Sequence, residues 1–244
     1  MSKYFQMLRK IDGIPRVGGN VSGDAFPTYE MRPLPDPHSL IREELLKLVQ
    51  KLFLRSGDHP VKVVMFAGTE CGSGCTSVCA GAAEALAAQV DGSVCVVDAN
   101  LRFPALHHWF SADNQCGLTD AIAKREPICN FARRLQDSNL WFVTAGSKSS
   151  AALPSICRVT ERLTELRNVF SYVLIDVPPV IAYADGMQVA QLADGVVLVL
   201  ASNASRKEAA RRAKESLEFA RVRILGAVLN KRTFPTPEFL YSRI

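Results

Sequence analysis

Residues 61–76 read VKVVMFAGTECGSGCT, and this stretch decides the fold class. The apolar run Val61–Ala67 is typical of a buried strand, and Gly68–Gly74 is a glycine-rich loop. Thr76–Val90 is small and apolar throughout, as a helix that packs closely on a sheet would be. A strand, a loop and a helix in this order form the repeating unit of parallel sheets, so the stretch predicts an α/β fold.

The same alternation continues along the chain and extends this prediction to a mostly parallel sheet with helices on both faces. Helical spacing predicts a first helix that Asp36 caps and Gly57 stops, and an amphipathic helix over Pro154–Phe170. Ser205–Glu208 has capping-box spacing and opens a basic helix. The further strands are predicted at Ser93–Val97, Leu140–Val143, Tyr172–Asp176, Gly195–Ala201 and Ile224–Asn230.

This organisation divides the chain into three parts. Residues 1–35 are rich in glycine and proline without periodicity, which indicates a flexible N-terminal arm. Residues 36–232 form the α/β domain, and residues 233–244 form a short irregular tail.

Composition excludes several classes of protein. The 244 residues are 48% hydrophobic and 22% charged, as in an ordinary globular domain. No run approaches the ~18 apolar residues of a membrane helix, and the N-terminus lacks the apolar core of a signal peptide. We therefore expect a cytoplasmic protein whose seven cysteines are reduced. The net charge of +5 comes largely from basic residues in 206–232, which a solvated helix face explains better than a nucleic-acid or lipid patch.

The informative polar residues follow the strands, where parallel sheets bind their ligands. The glycines of the loop allow successive backbone N–H groups to wrap an anion, and Thr76 offers a hydroxyl to Mg²⁺. Asp98 and Asp176 end two strands and are placed to hold Mg²⁺ or its water. A phosphate loop ends in Gly-Lys-Ser/Thr, whereas this one has Cys75 before Thr76, so a tight structural turn remains the alternative.

Cys75 itself has two interpretations. At the start of a helix its thiolate is favoured, which predicts faster alkylation than at Cys95, in mid-strand. The alternative is a buried, inert thiol. Cys71, Cys75 and Cys79 recur every fourth residue, but this is not a zinc spacing, and small buried side chains explain it better.

From about Leu40 to Asn230 the sequence resembles the bacterial protein-tyrosine kinases (BY-kinases) of capsule and exopolysaccharide synthesis, which have a P-loop NTPase fold. An Arg-x-Pro after the second motif, Arg102-Phe-Pro104, separates this family from the related partition and septum-site ATPases. Asp185 also fits. The segments that carry the resemblance are VVDANLRFPALH (96–107), GLTD (117–120), YVLIDVPP (172–179), LADGVVLV (192–199) and GAVLN (226–230).

The resemblance implies an ATP or ADP site with Mg²⁺. Gly72 and Gly74 would cradle phosphate, with Cys75 at the lysine position and Thr76 on Mg²⁺. Asp98 would be the catalytic acid of the Walker A′ motif and a Mg²⁺ ligand, and Asp176 would be the Walker B acid on the metal. Asn230 would lie near the adenine.

The resemblance also implies the setting in the cell. Family members phosphorylate their own C-terminal tyrosines and self-associate, so a homo-oligomer is expected. They are switched on by a membrane chain-length regulator of polysaccharide export, which would bring this protein to the inner face of the cell membrane. No nucleic-acid partner is expected.

The sequence departs from the family at the residues that serve phosphoryl transfer. Cys75 replaces the phosphate-loop lysine, and no Lys or Arg occurs between Lys62 and Arg102. Asn100 replaces the second Walker A′ acid, and the tail offers only Tyr241. The oligomerisation motif is at best Glu44–Gln50.

Three hypotheses follow. The departures favour a degenerate nucleotide site in a regulator or scaffold of the membrane chain-length protein. The alternative is an active ATP-dependent tyrosine autokinase with an unusual phosphate loop. A partition-type ATPase on DNA or membrane is the third hypothesis, and the missing early lysine and Arg102-Phe-Pro104 argue against it.

Overall fold

The computed structural model describes residues 37–54, 60–135, 138–147, 156–202 and 204–232. The expected N-terminal arm, the cap at Asp36, the stop at Gly57 and the tail with Tyr241 lie outside the described residues. The part that is described contains a sheet of seven strands. These are β1 (Val63–Gly68), β2 (Val94–Asp98), β3 (Arg133–Arg134), β4 (Leu140–Val143), β5 (Tyr172–Val177), β6 (Gly195–Ala201) and β7 (Ile224–Asn230).

Helices connect most of these strands. Long helices form where the sequence has sustained helical periodicity, and short ones occupy the connections around β2 and β5. They are α1 (Pro37–Phe53), α2 (Cys75–Ala87), α3 (Leu106–Trp109), α4 (Leu118–Lys124), α5 (Ile156–Val169), α6 (Ala184–Ala190) and α7 (Lys207–Phe219), with a 3-10 turn at Ile128–Phe131.

The strand order is β3-β4-β2-β5-β1-β6-β7, and every pairing is parallel except β3 with β4. The connections reverse direction across the sheet on either side of β1, so the loop after β1 lies at a switch point of the sheet. The register aligns the carboxyl ends of β2 and β5 so that Asp98 lies opposite Asp176. The fold class predicted from the sequence is confirmed.

The sheet has a hydrophobic core on each face. Along β1 the buried side chains alternate, with Val63 and Met65 on one face and Val64 and Phe66 on the other. The second face is covered by α1, α2 and α3, and the first by α4, α5, α6 and α7. This is the three-layer arrangement that buries both faces of a parallel sheet and explains why its strands are apolar without interruption.

Helix α2 is composed of small residues because it packs against two neighbours. One side lies on the sheet, and the other faces α1 so closely that a Cβ at Gly81 would lie 2.8 Å from a methyl group of Leu45. The predicted close packing on the sheet is therefore confirmed, and the contact with α1 adds a second reason for small side chains.

One local detail at the start of α7 differs from the sequence prediction. The capping box predicted at Ser205–Glu208 is wrong, because Arg206 occupies the N-cap of α7 without a side-chain bond. The Ser205 hydroxyl instead accepts a hydrogen bond from the Ala201 N–H at 2.9 Å and closes the turn after β6. The basic face of α7 is solvated as expected, and its exposed cations form ion pairs along the helix, Arg211 with Glu215 and Lys214 with Glu218.

Asp194 joins the start of β1 to α5. Its carboxylate accepts hydrogen bonds from the N–H groups of Lys62 and Val63 at 2.8 Å and from the Arg167 guanidinium at 2.7 Å. Burial alone would raise the pKa of Asp194, but these donors outweigh it and lower the pKa. A charged carboxylate at this position therefore fixes where β1 enters the sheet.

We predict that Asp194→Ala lowers the free energy of unfolding by about 2–3 kcal/mol, because two backbone N–H groups and Arg167 lose their acceptor. Asp113→Ala is the matched control, since it removes an exposed aspartate paired with Arg133 and should cost less than about 1 kcal/mol. Urea unfolding monitored by circular dichroism measures both variants. Equal losses would contradict the role assigned to Asp194.

Candidate functional site

The glycine-rich loop between β1 and α2 has the backbone shape of an anion-binding loop. Gly72 and Gly74 have φ angles of 81° and 79°, a region that residues with a Cβ adopt only at a cost. At Gly74 there is also no room, because a Cβ would lie 2.3 Å from the Asn230 side-chain nitrogen. Since α2 begins directly at Cys75, the free N–H groups of its first turn belong to the same concave surface.

The end of β7 closes the loop from the other side. The Asn230 side-chain nitrogen donates to the Ser73 carbonyl at 3.0 Å, and the Lys231 ammonium donates to the Gly72 carbonyl at 2.6 Å. The resemblance places Asn230 near an adenine, and the structure shows its amide holding the loop. Sequence reasoning missed Lys231, whose only signal was its position directly after Asn230 at the end of a predicted strand.

Two buried carboxylates lie under the loop, on neighbouring strands. Asp98 and Asp176 are register partners at the ends of β2 and β5, and neither is exposed to solvent. The Thr76 hydroxyl donates to Asp176 Oδ2 at 2.6 Å. The structure thus brings together the three residues that the sequence predicted for Mg²⁺.

Asp98 also organises the chain that follows it. Its oxygens accept the N–H groups of Asn100, Ala105 and Leu106 at 3.0–3.1 Å. The Asn100 side chain accepts the Phe103 N–H at 3.2 Å, so the residue that replaces the second Walker A′ acid stabilises the turn. Asp98 therefore has a structural role whether or not it takes part in chemistry.

The pKa values of Asp98 and Asp176 show that a positive charge at this pair would be stabilised. Burial raises the pKa of Asp98 against the effect of its backbone donors. Burial also raises the pKa of Asp176, and the neighbouring Asp98 charge adds to it, while the Thr76 hydrogen bond works in the opposite direction. Two adjacent buried carboxylates cannot both be charged without a counter-ion at a large cost.

The residues present fit a magnesium ion. Asp176 Oδ1 is buried and accepts no hydrogen bond of ordinary geometry, and the Cys75 thiol beside the carboxylate is only a weak donor, so this oxygen is available to a cation. Carboxylate and hydroxyl oxygens are hard donors of the type Mg²⁺ prefers, and nucleotide phosphates normally complete its shell. The described residues contain no group of three or more His, Cys, Asp or Glu that could hold a metal by themselves. A Mg²⁺ ion here would depend on a bound phosphate.

Comparison with known proteins finds relatives over most of the chain. No family model matches the sequence. The tyrosine-protein kinase YwqD of Bacillus subtilis is 31% identical over 199 residues, which are 81% of this chain and 84% of YwqD. The chain belongs to the bacterial tyrosine-protein kinase family.

Solved structures place this tyrosine-kinase family member in the P-loop ATPase fold. The VpsO kinase domain superposes with a TM-score of 0.70 at 26% identity, covering 80% of this chain and 98% of that domain. A ParA family ATPase from Chlorobium tepidum superposes with a TM-score of 0.56 at 20% identity, over 69% of this chain and 73% of that one. The second likeness concerns the fold alone. Among the helices described, none is both long and apolar enough to span a bilayer.

Cys75 occupies the position that the sequence resemblance assigns to the phosphate-loop lysine. Burial raises the pKa of the Cys75 thiol well above its ordinary value, and the nearby Asp176 charge raises it further. The thiol is therefore neutral at physiological pH, although it lies in the first turn of α2. The structure favours the inert thiol over the reactive thiolate of the first interpretation, and all seven cysteines are free rather than paired in disulfides.

The Arg102-Phe-Pro104 segment lies beside the site rather than in it. The Arg102 guanidinium stacks on the Tyr183 ring with 4.3 Å to the centroid, and Phe103 lies against the same ring at 6.5 Å. Phe103 is 58% exposed, so this segment offers an aromatic and cationic surface next to the carboxyl ends of the strands.

We predict that Asp176→Asn stabilises the protein by about 1–2 kcal/mol at pH 8, because it removes a buried carboxylate charge next to Asp98. A folded-state pKa above the unfolded value means that stability is lost as pH rises from about 4 towards the folded pKa of about 7. The variant should lack this loss. Thermal unfolding between pH 4.5 and 8 measures it, and Asp91→Asn controls for the removal of an exposed carboxylate. Parallel pH profiles for wild type and Asp176→Asn would contradict the raised pKa.

We also predict that Cys75 reacts more slowly with iodoacetamide than Cys71, because only the thiolate attacks and the Cys75 pKa is raised. Cys71 is the matched control, since it is exposed and lies in the same loop. Peptide fragmentation after brief labelling at pH 8 measures both rates, and unfolded protein should label them alike. Faster labelling of Cys75 in the folded protein would restore the thiolate hypothesis.

Proposed function

We propose that this protein binds Mg²⁺ with ATP or ADP at the loop after β1. It would act in exopolysaccharide or capsule synthesis as a regulator or scaffold of a membrane chain-length protein. Membership of the bacterial tyrosine-protein kinase family supports the nucleotide and the cellular setting. The arrangement of the site supports binding without efficient phosphoryl transfer.

The observation that carries this proposal is an uneven site. Thr76, Asp98 and Asp176 lie together as a metal-binding half, while Cys75 presents a neutral thiol at the lysine position. Phosphoryl transfer depends on charge stabilisation, where one missing cation can cost on the order of 10³-fold or more in rate. Backbone N–H groups and Mg²⁺ are enough for binding, so the site can bind nucleotide although its rate of phosphoryl transfer is low.

Each residue has a definite task in this proposal. The loop N–H groups from Gly72 to Thr76 would bind the phosphates, and the Thr76 hydroxyl, which donates to Asp176, would offer its oxygen to Mg²⁺. Asp176 would help to hold Mg²⁺ with Oδ1. When bound, Mg²⁺ supplies the positive charge that the two buried carboxylates lack. Burial raises the pKa of Asp98 to about 6, which suits its carboxylate to accept a proton from a hydroxyl group during phosphoryl transfer.

The proposed location is the cytoplasmic face of the cell membrane, beside the chain-length regulator. Helix α1 supports an interaction role, because its first turns expose Leu40 and Ile41, at 40% and 60%. In the segment expected to serve self-association, Glu44 forms an exposed ion pair with Lys47 at 3.0 Å. We infer that this helix takes part in a homo-oligomer or in contact with the membrane protein.

An active tyrosine autokinase is the second candidate. It is favoured by Asp176, a buried carboxylate whose charge next to Asp98 opposes folding and which a purely structural protein would not need. The two candidates predict different consequences of the same substitutions.

We predict that Asp98→Asn and Asp176→Asn leave polymer length and yield close to wild type, whereas deletion of the whole chain shortens or abolishes the polymer. Gel analysis of the polymer from the four strains measures this. Two variants are needed, because Asp98 also accepts three backbone N–H groups and its substitution costs stability. Protein levels by immunoblot show that each variant persists.

Either of two results would contradict the proposal. If both folded variants reproduce the deletion phenotype, the site is chemically active and the autokinase candidate stands. If purified wild-type protein shows no binding of Mg–ATP or Mg–ADP by calorimetry, the nucleotide-binding part is wrong.

A further inference from the structure

Lys231, which is distant from the glycine-rich loop in sequence, contacts that loop in the folded chain. Its ammonium nitrogen lies 2.6 Å from the Gly72 carbonyl oxygen, 159 residues away in sequence. Its Cε lies 3.6 Å from the position that a Cβ on Gly74 would take, so the side chain crosses the last turn of the loop. The residue follows β7 directly and has a left-handed backbone with φ of 58°.

The loop has a deficit of positive charge that a polyphosphate would meet. The segment between Lys62 and Arg102 contains no Lys or Arg, and it contributes Glu70 and Asp98 to the surroundings of the loop. Asp176 adds a second buried carboxylate below the loop. Cys75 occupies the position that the resemblance gives to a lysine, and its side chain has no positive charge to offer a phosphate.

Lys231 is suited to make up this deficit. An ammonium group has three N–H donors, and the Gly72 carbonyl uses one of them. The side chain is exposed rather than packed in the core, so a movement of the long stem can carry the ammonium towards a phosphate. Asn230, the preceding residue, holds the Ser73 carbonyl and fixes the end of β7 against the loop.

We propose that Lys231 supplies the phosphate-loop cation that is missing at position 75, by binding the terminal phosphate oxygens of a nucleoside di- or triphosphate. The proposal rests on nucleotide binding by this loop, the function proposed above. The cation then comes from the residue after β7, and the metal ligands come from α2, β2 and β5. Lys231 would hold the bound nucleotide, whereas position 75 itself stays without a cation, as the proposed function requires.

The test is the dissociation constant of Mg–ATP, measured by calorimetry at fixed ionic strength for wild type and single variants. Lys231→Met keeps the aliphatic stem and removes the charge, and it should weaken binding roughly 10- to 100-fold. Lys231→Gln keeps a donor for the Gly72 carbonyl without the charge, and it should weaken binding to a similar extent. Lys214→Met is the matched control on exposed α7 and should change affinity less than about 2-fold.

A relocation variant gives a second readout. In the Lys231→Met background, Cys75→Lys returns a cation to the family position and should recover most of the lost affinity. Melting temperatures of the unliganded variants show whether each one is folded. Because Lys231 is exposed, both of its single variants should melt within a few degrees of wild type.

The outcomes separate this proposal from the one on which it rests. Wild-type protein that does not bind Mg–ATP would overturn nucleotide binding and the role of Lys231 together. Wild-type binding with unchanged affinity in Lys231→Met would overturn the role of Lys231 alone. Wild-type affinity in Lys231→Gln would show that Lys231 only holds the Gly72 carbonyl, and it would also overturn the proposal.

Discussion

The parallel pairing of β2 with β5 is the constraint on which the rest of the site depends. Its register sets Asp98 opposite Asp176 at the carboxyl edge of the sheet, both buried. In the neighbouring pairing, β1 places the loop and Thr76 above Asp176. A shift of one residue in either pairing would turn these side chains to the opposite face, because side chains alternate along a strand.

Placing two carboxylates side by side in a core opposes folding, and the surrounding chain offsets only part of that cost. Asp98 receives three backbone N–H groups, whereas Asp176 receives the Thr76 hydroxyl on one oxygen and has only the weak thiol donor of Cys75 beside it otherwise. The strands β1, β2, β4, β5 and β6 are buried along almost their whole length and supply the stability that tolerates this arrangement. Unfavourable local arrangements such as two adjacent buried carboxylates are expected where a site binds a ligand.

The sequence predicted those features that depend on local pattern. Uninterrupted apolar runs located the long strands, and the rule that parallel strands share a carboxyl edge brought Asp98, Asp176 and Thr76 together correctly. Short helices such as α3 and α6 escaped prediction because segments of four to seven residues show no resolvable periodicity. The Ser205 cap was wrong because a serine near a turn has competing backbone partners, and here it bonds Ala201.

Lys231 was not predicted as a site residue because its contact with the loop depends on the sheet and not on a sequence motif. A sequence motif covers consecutive residues only, whereas residues that are distant in sequence can also contact the loop in the folded chain. Cys75 makes the loop deficient when residues 68–76 are considered alone. The pairing of β7 with β6 carries Asn230 and Lys231 to the same carboxyl edge as the loop, where both donate to its carbonyl groups. The charge available to a phosphate is therefore a property of the sheet edge as a whole. A loop that lacks a lysine is compatible with the proposed nucleotide binding, because the segment after β7 brings a lysine to it.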